Sequence, residues 1–267
     1  MTSALLTEAL APLRADPQRA AILLDIDGTL APIVEHAADA HVPEMTRQLL
    51  IEVARRYRMV ACVSGRQASQ ARAMVSIGSI SYLGSHGAEL LRSGWTEAQL
   101  DPQVQEWVRR INEFAREADT PDLRRSRVRI EDKGPIVAFH WRGAPDEESA
   151  RAAVDGLAAK AQAAGLHTHW GRKVLEVRPP VTIDKGAGIR TFLEGTGVQV
   201  ALYAGDDMTD LDAFRTLDEL VAAGELTRAV KVGVSSEEGP EEITARADVV
   251  VEGTDGVKEL LAALIAD

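Results

Sequence analysis

Apolar positions along the chain fall into two rhythms. Short, largely apolar runs end abruptly at polar residues or glycine. Ala21-Ile22-Leu23-Leu24 stops at Asp25, residues 59–63 stop at Ser64, 80–83 stop at Gly84, and 199–204 stop at Gly205 and Asp206. Runs of that length suit strands of a parallel sheet covered on both faces. Between them lie stretches with apolar residues at helical spacing, 3–13, 43–57, 67–75, 185–193 and 257–265, and further strands are expected at 229–232 and 248–251. The alternation of strand and helix predicts an α/β fold, a Rossmann-like doubly wound parallel sheet.

The middle of the chain changes rhythm. A long helix over 104–118 leads to strands near 127–131 and 136–142, a helix over 147–163, and a strand pair near 167–170 and 174–178 with a short link. Short links suit antiparallel pairing. Val128 and Ile130 alternate with Arg129, Glu131 and Lys133; Val137, Phe139 and Trp141 alternate with His140 and Arg142; Leu175 and Val177 alternate with Glu176 and Arg178. One face of such a sheet packs on helices, and the other is either a solvated surface or a polar ceiling over a crevice. The expected organisation is a core built from 1–93 and 182–267, with an α+β cap domain, 94–181, inserted between them.

Composition narrows the function. The 267 residues, 45% hydrophobic and 27% charged, describe an ordinary globular chain large enough for a substantial core. A net charge of −11 provides no basic footprint for nucleic acid, and the aromatic content of 4% supplies no stacking platform for bases. Cys62 is the single cysteine, so no intrachain disulfide forms, and its apolar neighbours mark it as a core residue. No run approaches membrane-spanning length and residues 1–13 lack a signal-peptide pattern, so a cytoplasmic protein with no membrane partner is expected; the sequence does not give the oligomeric state, and a monomer is one option.

Chemistry concentrates where strands end. Asp25 and Asp27 lie one residue apart just past the first strand, at the edge where open α/β sheets bind ligands. Two carboxylates that close repel, and a cation, a proton or strong donors must offset the repulsion. A calcium loop does not fit, because it needs Gly at its sixth position and Glu at its twelfth, whereas Gly28 is fourth and His36, in the loop after Pro32, is twelfth. Asp206 and Asp207 follow a later strand in the same way. With Asp25 and Asp27 they make an oxygen-rich set of the kind Mg²⁺ prefers, although a helix-capping Asp would account for Asp207 alone. Ser64 after a strand and Lys185 at a helix start are weak signals singly; together with the acidic pairs they supply the parts for phosphoryl transfer.

The segments Asp25-Ile26-Asp27-Gly28-Thr29-Leu30, Val63-Ser64-Gly65-Arg66, Asp184-Lys185-Gly186 and Gly205-Asp206-Asp207-Met208-Thr209-Asp210 resemble the four sequential motifs of the haloacid-dehalogenase-like (HAD) phosphohydrolases. Within that superfamily, Gly84-Ser85-His86-Gly87-Ala88-Glu89, Glu131-Asp132-Lys133-Gly134 and Leu175-Glu176-Val177-Arg178-Pro179 resemble the trehalose-phosphate phosphatases. The resemblance implies that Asp25 is the nucleophile and Asp27 the general acid and base, with Ser64 and Lys185 neutralising the phosphoryl oxygens. It implies Mg²⁺ held by Asp25, the backbone of Asp27 and Asp206, with Asp207 in support. Glu131, Lys133 and Glu176 from the cap, with Arg66 and His86 from the core, would bind a phosphorylated disaccharide, trehalose 6-phosphate. Leu211 stands where that branch usually has Glu, which leaves open another glycosyl phosphate, sucrose phosphate or a glucosyl-glycerate phosphate. A member that binds a sugar phosphate without catalysis is the competing class.

Overall fold

The run that stops at Asp25 forms a strand, Ala20–Asp25 (β1), in which all six residues are buried. It is the centre of a computed structural model that describes residues 2–34, 40–236 and 239–266. His36, expected in the loop after β1, lies outside the described residues. The chain divides into two compact units, Met1–Gln99 with Ile183–Asp267, and Leu100–Thr182.

The first segment runs α1 (Thr2–Ala15), β1, α2 (Glu44–Arg56), β2 (Met59–Val63), α3 (Ala68–Val75), β3 (Ser81–Gly84), β4 (Glu89–Leu91) and β5 (Gln99–Leu100). The second unit follows as α4 (Pro102–Ala118), α5 (Pro121–Arg125), β6 (Arg129–Asp132), β7 (Val137–His140), α6 (Glu147–Ala163), β8 (His167–Gly171) and β9 (Val174–Arg178). The first unit resumes with α7 (Lys185–Leu193), β10 (Val200–Gly205), α8 (Asp210–Ala222), β11 (Arg228–Ser235), α9 (Glu241–Arg246), β12 (Val249–Glu252) and α10 (Gly253–Ile265).

In the first unit the eight strands lie in the order β12-β11-β10-β1-β2-β3-β4-β5. β1 pairs in parallel with β10 on one side and β2 on the other, so the strand order reverses direction at β1. That reversal is the topological switch point at which open α/β sheets form their crevice. Alternate residues of β1 serve opposite faces. Ile22 and Leu24 join Leu10, Leu50, Val53, Leu260 and Leu264, while Ala21 and Leu23 join Ile189, Phe192, Phe214 and Leu217. The sheet is thereby covered by α1, α2 and α10 on one face and by α7 and α8 on the other, which is why its central strands carry apolar residues in unbroken runs.

The second unit is a four-stranded sheet, β6-β7-β9-β8, paired antiparallel throughout. Phe139, Leu175 and Val177 pack with Ile111 and Phe114 of α4 and Val154 and Ala161 of α6, and Phe114 meets Phe139 edge-on at 6.2 Å. The strands alternate as the sequence predicts: Glu131, Ala138, Glu176 and His169 are register partners in succession and share the opposite face. α5, α9 and β5 were not expected; each is too short to carry a hydrophobic period. β5 extends the first unit's sheet beyond β4, so the division falls later than the boundary drawn at Gly94. Among the described residues no helix is long and apolar enough to cross a membrane.

Phe139 is fully buried. Phe139→Ala should destabilise the 100–182 unit by about 3–5 kcal/mol. Three of the four tryptophans, Trp107, Trp141 and Trp170, lie in that unit, so the fall in its urea midpoint is readable by fluorescence.

Candidate active site

β1 delivers Asp25 at its carboxyl end, and the next residues turn sharply. The Ile26 carbonyl accepts from the amides of Leu30 (2.9 Å) and Ala31 (2.8 Å), closing a tight loop around Asp27 and Gly28. Gly28 sits at φ +87°, and a Cβ there would collide with the Asp206 carboxylate. Only glycine lets the loop after β1 and the loop after β10 approach this closely. Thr29 Oγ1 fixes the approach by donating to Asp206 Oδ1 at 3.1 Å.

α7 brings the cation. Asp184 caps that helix by accepting from the Ala187 amide at 2.7 Å, so Lys185 is the first helical residue and its side chain turns back into the crevice. Lys185 Nζ donates to Asp25 Oδ1 at 2.7 Å and to Asp210 Oδ1 at 2.6 Å, with 3% of the residue exposed. Asp210 is completely buried. Its Oδ1 also accepts from Tyr203 Oη at 2.5 Å, and its Oδ2 accepts from the amides of Asp206 and Asp207 at 2.9 Å each. Those four bonds commit both of its oxygens to holding Lys185 and the turn after β10 in place.

Ser64 and Arg66 come from the turn after β2. Ser64 is 1% exposed, and its Oγ accepts from the Arg66 amide at 3.1 Å. The turn is held from the other side by residues 84–89, where the Ser85 amide donates to the Arg66 carbonyl (2.7 Å) and the His86 amide to the Ser64 carbonyl (3.0 Å). Ser85, His86 and Gly87 have φ values of +50°, +57° and +96°, a run of left-handed backbone that is costly at the two non-glycine positions. The His86 imidazole lies directly over Gly65, and Gly87 packs backbone to backbone on Gly188 of α7. Glu89 accepts from Ser85 Oγ (3.0 Å) and from the Ala68 amide at the start of α3 (2.8 Å).

Two sequence-expected residues stand apart from this nucleus. Asp27 is bound by Arg66, Nε to Oδ2 at 2.8 Å and Nη2 to Oδ1 at 2.7 Å, with 38% of the Asp27 side chain exposed. Asp207 is exposed and its Oδ1 accepts from the Met208 amide at 2.7 Å within its own turn. The buried partner of Asp25 and Asp206 is Asp210, four residues on from Asp206, with Tyr203 bonded to Asp210 and Thr29 to Asp206. Asp210 stands in the motif that singled out Asp206, but a linear string does not show which acid of that turn points inward.

Carboxylate oxygens of Asp25, Asp206 and Asp210 lie within 4.8 Å of one another. Three carboxylates face the single ammonium of Lys185, so ionisation of all three would leave two negative charges uncompensated in a buried site. Burial, with Asp210 next, pushes the Asp206 carboxyl up to about 6, and burial with the same acidic neighbours raises Asp25, against the pull of Lys185. Burial works against the Lys185 charge, but Asp25 and Asp210 outweigh it and raise the ammonium above its ordinary value. The donor set therefore fits a divalent cation, with Asp25 and Asp206 each having one oxygen engaged at Oδ1 and one to offer.

In the second unit, Lys133 Nζ donates to Glu176 Oε1 at 3.0 Å and Arg178 Nε to Oε2 at 3.1 Å, while His140 Nε2 pairs with Glu131 Oε2 at 2.7 Å. Burial alone would raise the Glu176 carboxyl, yet the bonds from Arg178 and Lys133 hold it below the ordinary range. Glu131, Lys133 and Glu176 thus share the polar face of the sheet, Lys133 and Glu176 in one ion-pair network with Arg178, and Glu131 paired separately with His140. Arg178 and His140, their partners, are the residues sequence reasoning placed on that face without giving them a role.

A doubly wound sheet with an acidic nucleus at its switch point and an inserted α+β unit defines the haloacid-dehalogenase-like fold. The chain superposes on a haloacid dehalogenase-like hydrolase from Bacteroides thetaiotaomicron with a TM-score of 0.61 at 18% identity, over 92% of this chain and 98% of that one. It superposes on the C-terminal domain of the trehalose-6-phosphate phosphatase of C. albicans with a TM-score of 0.70 at 21% identity, over 99% and 97%. The trehalose-phosphatase family model matches residues 23–249, and the chain belongs to that family. The probable trehalose-phosphate phosphatase 4 of Oryza sativa subsp. japonica is 30% identical over 202 residues, which are 73% of this chain and 55% of the rice protein. The chain spans about half the length of such relatives.

The raised carboxyls set a pH signature. Without a cation, protonation of Asp206 stabilises the native state below pH 4, and that stabilisation is lost as pH rises through about 6. In EDTA, Asp206→Asn should therefore exceed wild type in Tm by more at pH 7.5 than at pH 4.5. With millimolar MgCl2 at pH 7.5 the order should reverse, because the amide removes one carboxylate from the donor set. Thermal melts at the two pH values check both signs.

Proposed function

We propose that this chain is a magnesium-dependent phosphatase that releases phosphate from trehalose 6-phosphate through an aspartyl-phosphate on Asp25. The observation that carries the reading is the Asp25 carboxylate itself, buried, oriented by Lys185 at 2.7 Å, and clustered with Asp206 and Asp210 in a set with more carboxylates than ammonium groups. Membership of the trehalose-phosphatase family supplies the reaction class. Mg²⁺ would be held by Asp25, Asp206 and the backbone carbonyl of Asp27, and when bound it would neutralise phosphoryl charge. Asp207, exposed and bonded within its own turn, supports the site through its amide on Asp210.

The chain's own residues carry the steps. Asp25 Oδ attacks phosphorus as the bond to the sugar oxygen breaks, and Asp27 gives that oxygen its proton. Water then attacks the aspartyl-phosphate, Asp27 takes back a proton, and Asp25 is released. Lys185 keeps Asp25 aligned and shares its charge with the phosphoryl oxygens, and Ser64 donates to those oxygens from the turn after β2. Glu131, Lys133 and Glu176 bind sugar hydroxyls, with His86 contributing from the core. The reading is of a monomeric cytoplasmic enzyme acting on a phosphorylated disaccharide, with no nucleic-acid or membrane partner.

Asp25→Asn should cut phosphate release by more than about 10³-fold, since an amide cannot form the acyl phosphate. EDTA should abolish, and MgCl2 restore, release by wild type. Across trehalose 6-phosphate, sucrose phosphate, glucose 6-phosphate and p-nitrophenyl phosphate, the first should lead in kcat/KM; comparable values for all four would defeat the substrate assignment. Glu176→Gln should lower kcat/KM for trehalose 6-phosphate about 10–100-fold, the worth of a charge-assisted hydrogen bond, and leave p-nitrophenyl phosphate unchanged.

A further inference from the structure

The Arg66–Asp27 contact uses both ends of each side chain. Nε and Nη2 of the guanidinium meet Oδ2 and Oδ1 of the carboxylate at 2.8 and 2.7 Å, the parallel two-bond arrangement that fixes a carboxylate in plane as well as in position. Arg66 is itself anchored at both backbone atoms, its amide on Ser64 Oγ and its carbonyl under the Ser85 amide. The pair is only partly buried, with 23% and 38% of the side chains exposed, which is too exposed for the contact to matter much to stability and too well formed to be an accident of the surface. Asp27 has no part in the buried cluster of Asp25, Asp206 and Asp210. Among the described residues, the turn after β2 is what orients its carboxylate.

From this geometry we infer that Arg66 is a positioning residue for proton transfer: its two-point hold fixes the plane and position of the Asp27 carboxylate for that transfer. The inference deepens the phosphatase reading and rests on it. In the first half-reaction the phosphorus–oxygen bond to the leaving group breaks, the bond to Asp25 forms, and the Asp27 proton passes to the departing oxygen. Asp27 is then an anion with both oxygens able to accept from Arg66, which is the arrangement the structure shows. In the second half-reaction that anion removes a proton from the attacking water as the bond between phosphorus and Asp25 breaks. Arg66 touches neither phosphorus nor the leaving oxygen in this scheme; it acts through Asp27. Lysine keeps the charge but cannot form the fork.

The test compares two esters of nearly the same shape, phenyl phosphate and p-nitrophenyl phosphate. Phenoxide is the poorer leaving group and needs the proton more. kcat/KM covers only the steps through departure of the leaving group, so slow hydrolysis of the acyl phosphate does not mask the effect. Arg66→Ala should lower kcat/KM for phenyl phosphate at least tenfold more than for p-nitrophenyl phosphate, Arg66→Lys should fall between Ala and wild type, and adding Arg66→Ala to Asp27→Asn should widen the ratio no further. Equal losses on the two esters, or a further widening in the double variant, would overturn the inference while leaving the phosphatase reading intact. A loss seen only with sugar phosphates would overturn it in favour of direct sugar contact. Wild type that released phosphate from neither ester nor from trehalose 6-phosphate would remove the reading and the inference together.

Discussion

One ammonium group holds the core unit's chemistry in place. Lys185 is buried between Asp25 and Asp210, which lie on different segments of the chain. Burying a charge is costly unless it is paired and hydrogen-bonded, and here each member of the set depends on the others. Asp25 needs Lys185 to be ionised inside the protein. Asp210 orients Lys185 and, through the amides of Asp206 and Asp207, shapes the turn that presents Asp206. The glycines in these loops serve the same end, since a side chain at Gly28 would expel Asp206. The excess of carboxylates over ammonium groups gives the nucleus a donor set that fits a cation.

The two units divide the work by chemistry. The core's polar groups come from the carboxyl ends of parallel strands and the first residue of α7, positions set by a sheet buried on both faces. The second unit presents Glu131, Lys133, Glu176 and Arg178 from one face of an antiparallel sheet whose other face is filled by Phe139, Leu175 and Val177. A single strand thus carries a packing residue and a polar residue by turns, so the polar side chains can vary without disturbing the aromatic core beneath them.

Much of this was legible in the chain, for identifiable reasons. Apolar runs such as Ala21-Ile22-Leu23-Leu24 announce buried parallel strands because a strand covered on both faces has no polar side to show. Two-residue alternation around Phe139 and Leu175 announces a sheet with one wet face. What the chain did not disclose depends on direction in space. Asp207 and Asp210 lie three residues apart at the start of one helix; the first turns to solvent and the second into the core, and only the packing of Tyr203 and Lys185 decides which. Arg66 is 39 residues from Asp27, and they meet because β1 and β2 are parallel neighbours of matching register. The short elements α5 and α9 carry too few residues to show a period.

The distance in sequence between Asp25 and its counter-ion has a consequence for how the protein is made. Lys185 lies 160 residues downstream of Asp25, and the whole of the 100–182 unit is translated between them. While the ribosome is extending that stretch, the nascent β1 carries a carboxylate that has no Lys185 to meet and no β10 to pair with. The inserted unit, continuous in sequence and equipped with its own core, can fold as it emerges. The core must wait for its second half. The order of synthesis therefore places the 100–182 unit before α7, and Asp25 gains its Lys185 counter-ion only after that unit has been made.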